Sequence, residues 1–192
     1  MANWASTSYQ IEGSKEELQK LFDLIDGFVK ERLKPVCDAA QNWEGNILQA
    51  LGATEEQISD NYLRGFISHY EMEENSIRMD TEEAWGATDF RHVLRQLMPE
   101  LTIYYIVEEP GCEVYATNDM DSKYFTDRFK VDAYADGEYW DDYYSDKETA
   151  LKHAAQFLKK EHVTEADIDE YNKEHEDDDN YLYLYEFKIT DC

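Results

Sequence analysis

Four stretches of this chain alternate side-chain character with a period of two, and that alternation most limits the folds open to it. Residues 5–11 set Ala5, Thr7, Tyr9 and Ile11 against Ser6, Ser8 and Gln10. Residues 64–72 set Phe66, Ser68, Tyr70 and Met72 against Ile67, His69 and Glu71, and 77–81 alternate again after Glu73, Glu74 and Asn75. The chain closes with Tyr181, Tyr183, Tyr185, Phe187 and Ile189 against Leu182, Leu184, Glu186 and Lys188. Such a period places successive side chains on opposite faces of a strand. The first stretch is broken by Gly13, and the second and third read as a hairpin.

Further strands fill the middle of the chain. Residues 101–107 read as a strand, Glu109-Pro110-Gly111 as its turn, and 113–117 as the strand returning beside it. Residues 124–135 and 138–144 flank Asp136-Gly137, a dipeptide suited to the two positive φ angles of a type I′ hairpin.

Between the strands lie helix signals. Ser14 precedes Glu17 by three residues, a capping box, and Leu18, Leu21, Phe22, Ile25, Phe28, Val29 and Leu33 follow at helical spacing as far as Pro35. Residues 36–61 read as two short helices, the second opened by Thr54 and Gln57. Asp89 is placed to cap a helix carrying Phe90, Val93, Leu94 and Leu97, which Pro99 stops. Ser145 with Glu148 opens a helix bearing Ala150, Leu151, Ala154 and Phe157, and Thr164 opens another.

This order predicts an α+β protein, an antiparallel sheet covered by helices. Residues 1–107, strand, helices, hairpin, helix and strand, match a split β-α-β arrangement of ferredoxin-like type. Without repeats or Gly/Ser linkers, the whole of 1–192 is expected as one domain, with 108–192 an acidic, tyrosine-rich extension of the same sheet. Asn3-Trp4, the polar first strand ending in Ile11-Glu12-Gly13, and the capped helix directly after it resemble small ferredoxin-like proteins of unknown function from bacteria, phages and plasmids. In that family a cysteine often follows Asn-Trp; here Ala5 stands in its place, so no role for it carries over.

Charge sets the functional expectations. The formal net charge is −26, and residues 131–192 alone hold nineteen acids against six lysines. Two clusters stand out there: 132–149 with seven acids and one lysine, and 161–179 with ten and one. Such a surface repels nucleic acid and anionic membranes and speeds encounter with basic surfaces. A hydrophobic content of 42%, 14% aromatic, argues for a folded chain rather than disorder. Cys37, Cys112 and Cys192 lack paired spacing, which speaks against a disulfide framework or four-cysteine zinc site. The opening residues carry no basic-then-apolar leader, and no run reaches the ~20 apolar residues of a membrane span, so the expectation is cytoplasmic.

Catalytic motifs are missing. His69, His92, His153, His162 and His175 contain no i, i+4 pair, and no phosphate loop, nucleophile elbow or dinucleotide fingerprint occurs. Asp132, Asp136 and Gly137 match EF-hand positions one, five and six, yet Tyr134 and Tyr143 occupy positions three and twelve, where ligands are needed. The expectation is therefore no enzyme, no cofactor and no metal.

Twelve of the fifteen tyrosines follow Leu101, several interleaved with acids. Some must pack the core faces of strands; the others are suited to anchor an interface while carboxylates meet Arg and Lys. Fixed carboxylates also imitate phosphates to a protein built for nucleic acid. The expected contact residues are Asp136, Glu138, Tyr139, Trp140, Asp141, Asp142 and Asp146, with Glu174, Glu176, Asp177, Asp178 and Asp179. The expected partner is a basic protein, such as a nucleic-acid-binding protein or a defence nuclease inhibited by a nucleic-acid mimic. The alternative is an accessory protein whose acids only keep it in solution, with its function in a small-ligand pocket.

Overall fold

The computed structural model describes residues 3–35, 39–84 and 89–190, and the chain divides into two compact units, 1–114 and 115–192. Its helices and mostly antiparallel strands make it an α+β protein. Cys37 and Cys192 lie outside the described residues; Cys112 is free and exposed.

In the first unit, β1 (Trp4–Glu12) buries Ala5, Thr7, Tyr9 and Ile11 and turns Trp4 and Ser6 outward. Helix α1 (Lys15–Val29) starts where the capping box closes: the Glu17 N–H donates to Ser14 Oγ at 3.3 Å and the Ser14 N–H donates to Glu17 Oε2 at 3.1 Å. Its stripe of Leu18, Leu21, Ile25 and Phe28 is buried. Then come α2 (Gly45–Leu51) and α3 (Glu55–Ser59), the latter capped by Thr54 and Gln57. The hairpin of β2 (Gly65–Met72) and β3 (Ser76–Ala84), α4 (Phe90–Leu97) and β4 (Thr102–Glu109) complete the unit. These strands lie in the order β2-β3-β1-β4, each antiparallel to its neighbour, so β1 and β2 run the same way with β3 between them.

Two local expectations need correction here. The alternation through β2 breaks because the register shifts between Ile67 and His69, and Ser68 and His69 are both exposed. A bulge of this kind inserts a residue and flips everything beyond it to the other face. Asp89 does not cap α4 with its side chain; its φ of −77° and ψ of 7° are not the extended values of a capping residue, and Oδ2 accepts the Tyr62 N–H at 2.8 Å instead.

A carboxylate lies inside this unit. Glu83 is fully buried and accepts hydrogen bonds from Thr7 Oγ1, Tyr9 Oη and Thr81 Oγ1, each at 2.8 Å. Burial, then the charges of Glu83 and Glu44, push the Tyr9 phenol well above its ordinary value, so it stays a donor.

The second unit holds a sheet of its own. Strands β6 (Phe129–Ala135), β7 (Glu138–Tyr144) and β8 (Tyr181–Glu186) lie in the order β7-β6-β8, all antiparallel. Ala116 and Thr117 of β5 (Val114–Thr117) pair in parallel with β9 (Lys188–Ile189). The β6–β7 loop is Asp136-Gly137, at φ 53° and 84°, as the dipeptide demands. Helices α5 (Lys147–Phe157) and α6 (Glu165–Glu174) bring Ala150, Ala154, Ala155 and Ile168 against Val131, Ala133 and Leu182 of the sheet.

Three boundaries differ from the sequence pattern. Strand β6 begins at Phe129, not near Tyr124, because the buried Asp119 carboxylate gathers the N–H groups of Lys123, Tyr124 and Phe125 at 3.0, 2.7 and 2.8 Å and bends that stretch into a loop. Asp146 rather than Ser145 caps α5, accepting the Thr149 N–H at 2.8 Å. The closing strand splits at Phe187, whose buried ring and N–H, donated to the Arg128 carbonyl at 2.9 Å, interrupt the ladder between β8 and β9.

Candidate functional site: a tyrosine and carboxylate face

Alternation and register together place nine side chains on one face of the β7-β6-β8 sheet. Across β7, β6 and β8 the rows run Tyr139, Tyr134, Tyr181; Asp141, Asp132, Tyr183; and Tyr143, Lys130, Tyr185. Val131, Ala133 and Leu182 point the other way, into the core against α5 and α6. The polar face is thus built by the same pleat that builds the core.

The rings stack on one another. Centroids are 6.3 Å apart for Tyr134 and Tyr181, 5.3 Å for Tyr181 and Tyr183, 5.8 Å for Tyr183 and Tyr185, and 4.3 Å for Tyr185 and Tyr115. A ring stacked on its neighbour hides its face and offers solvent its edge and hydroxyl. The surface is therefore an array of phenolic hydroxyls and carboxylates, better suited to hydrogen-bond donors and cations than to flat apolar ligands. Tyr139 and Tyr183 are 60% and 41% exposed, so a partner can reach them.

Electrostatics on this face are unbalanced. Asp132 and Asp141 are register partners, like charges directly opposite each other, a destabilising arrangement. Lys130, buried, places Nζ 3.2 Å from the Asp141 carboxylate and donates to Tyr143 Oη at 3.0 Å. Tyr139 Oη donates to Asp141 Oδ2 at 3.0 Å. Asp132 fares worse: its Oδ1 is buried without a hydrogen-bond donor. Burial raises its pKa above the ordinary carboxylate value and Asp141 adds to the rise, against the opposing Tyr181 and Tyr139 hydroxyls and Lys130. Lost solvation, the bond to Asp141 and the two carboxylate charges push the Tyr139 phenol up to about 12, so it remains protonated at neutral pH.

The residues expected from the sequence do not all share this face. Tyr139 and Asp141 lie on it. Asp136 and Glu138 are exposed at the hairpin tip. Trp140 turns to the helix side, its ring centroid 5.7 Å from Phe157 and 6.3 Å from His153. Asp142 accepts the Tyr144 hydroxyl at 3.2 Å and the Tyr143 N–H at 2.9 Å, and Asp146 is spent on the α5 cap.

Glu174 ends α6 and Asp177 is exposed in the loop that follows, while Glu176, Asp178 and Asp179 line a pocket of about 560 Å³ walled by Tyr134, Tyr181 and Tyr183. The acid run and the tyrosine face thus meet at β8.

Sequence reasoning missed Lys130, Asp132, Tyr134, Tyr143, Tyr181, Tyr183 and Tyr185 as members of the site. The signal was the period-two offset in three strands, which becomes one surface only when the pairing register is known. Among the described residues, no three His, Cys, Asp or Glu side chains converge as metal ligands, and no helix is long and apolar enough to cross a membrane. No known family, curated protein or solved structure matches the chain.

Proposed function

We propose that this chain is a non-enzymatic binding protein that engages a basic protein surface through the tyrosine and carboxylate face of its second unit. The observation that carries this reading is the opposed pair Asp132 and Asp141, held together at an electrostatic cost with one buried lysine beside them. A guanidinium or ammonium from a partner relieves that repulsion, so part of the cost in the free protein returns as binding energy. The stacked tyrosines present hydroxyls at fixed positions and lose little side-chain freedom on docking. The partner of matching chemistry is a nucleic-acid-handling protein, including a defence nuclease, whose groove is built to meet anionic phosphates.

The first unit supports a finer reading of the fold. The order β2-β3-β1-β4, with α1 to α3 between β1 and β2 and α4 between β3 and β4, is consistent with a ferredoxin-like unit of the kind found in small bacterial, phage and plasmid proteins. A cytoplasmic setting, where such partners are found, belongs to the same proposal.

The test is capture from a nuclease-treated bacterial lysate by the tagged chain at low and high salt. Retention of a basic protein at low salt and its loss at high salt is the expected result; no basic protein at either salt overturns the reading.

A further inference from the structure

We infer that the pocket beside β8 is an arginine-anchoring site, the point at which a partner's guanidinium is held; this rests on the basic-partner reading above and narrows it to one side chain. The pocket is an open cleft of about 560 Å³, a size that accommodates a small ligand or a single long side chain. Its lining combines three tyrosines, Tyr134, Tyr181 and Tyr183, with three acids, Glu176, Asp178 and Asp179. Among the described residues, no lysine or arginine lines it.

The frame of the pocket is fixed before any ligand arrives. Asn172 Nδ2 donates to the Leu182 carbonyl at 2.7 Å and its Oδ1 accepts the Leu182 N–H at 2.8 Å, which ties α6 to β8. His175 Nδ1 lies 2.8 Å from Asp178 Oδ2, and Asp178 Oδ1 accepts the Asn180 N–H at 2.7 Å. Asn180 Oδ1 in turn accepts the Asp136 N–H at 3.1 Å, joining the loop to the hairpin tip. The amides, the imidazole and Asp178 are thereby occupied in holding the frame, while Glu176 and Asp179 are exposed. A preformed site spends less of its binding energy on ordering.

That combination selects guanidinium over ammonium. Arginine is planar and weakly hydrated, and offers paired N–H donors in a fixed fork that match carboxylate and phenolic oxygens; lysine is a compact, strongly hydrated charge. Charge complementarity and a lining of carboxylate and phenolic oxygens therefore point to the same side chain.

The probe is a short acetylated peptide with one central arginine, compared with its lysine and citrulline counterparts by ¹H–¹⁵N NMR titration of the intact chain. Saturable shifts confined to residues 134 and 172–183, with affinity about tenfold weaker for lysine and lost for citrulline, are expected. Glu176→Gln with Asp179→Asn, exposed positions that leave the fold intact, are expected to weaken the arginine peptide by about tenfold as well. Equal shifts with all three peptides, or shifts spread over the acidic surface and untouched by the double substitution, overturn the inference. If the pocket variants still capture the basic partner while substitutions at Asp132 and Asp141 abolish capture, the arginine site falls and the broader function stands; if neither set matters, both fall.

Discussion

Asp132 and Asp141 face each other across the β6–β7 hairpin, and Lys130, the cation beside them, lies 3.2 Å from Asp141. Burial first, and the charge of Asp141 after it, disfavour the ionised form of Asp132, which therefore weakens the fold that positions it. Because its pKa is raised in the folded state, the protonated form favours folding. The associated stability is present below the ordinary carboxylate range and is lost as pH rises through the raised folded value. Asp132→Asn is expected to stabilise the second unit by about 0.5 kcal/mol at neutral pH, with less gain in acid, as read by denaturant unfolding at the two pH values.

Asp119 has the opposite sign. Burial raises its pKa, but the N–H groups of Phe125, Tyr124 and Lys123, with Arg128 nearby, outweigh it and hold the carboxyl below the ordinary range. Its contribution is present above the unfolded value and lost as pH falls through the lower folded one. Asp119→Ala strips three backbone donors of their acceptor and is expected to cost about 3 kcal/mol. Amide exchange of residues 123–125 should rise with it.

In the first unit, Glu83→Ala leaves the hydroxyls of Thr7, Tyr9 and Thr81 without their shared acceptor. A loss of about 3 kcal/mol is expected in denaturant unfolding, and Tyr9→Phe should lose about 1 kcal/mol, since two donors to Glu83 remain.

The hairpin gives a smaller and cleaner effect. Gly137 sits at φ 84°, with nothing near the position a Cβ would take, so Gly137→Ala tests backbone strain alone. About 1 kcal/mol of destabilisation is expected, with the β6–β7 register retained in NMR spectra.

Much of the fold was legible from local signals. The Ser14, Thr54 and Thr164 caps, the Asp136-Gly137 turn and the alternation of β1 are short-range chemistry, and each appears where its residues require. The misreadings have a different cause: a side chain whose hydrogen bonds or burial the local pattern does not show. Asp89 serves Tyr62, Asp119 folds up residues that look like strand, and Phe187 is buried where alternation alone would continue the ladder. The candidate face was hidden for the same reason. Residues 130–134, 139–143 and 181–185 each alternate, but in the closing strand tyrosines alternate with leucines, and either row can serve as the core side. Only pairing with β6 and packing of Leu182 against α5 and α6 decides that the tyrosines face out.

The central claim is that the tyrosine and carboxylate face, rather than acidity in general, binds a basic partner. It is tested most directly by comparing two charge-matched variants in the same low-salt capture experiment. One is Asp132→Asn with Asp141→Asn, on the face; the other is Glu161→Gln with Glu170→Gln, both exposed and away from the pocket lining. The account predicts that the face variant loses the basic partner and the second variant keeps it. Equal retention, or equal loss, by both would contradict it.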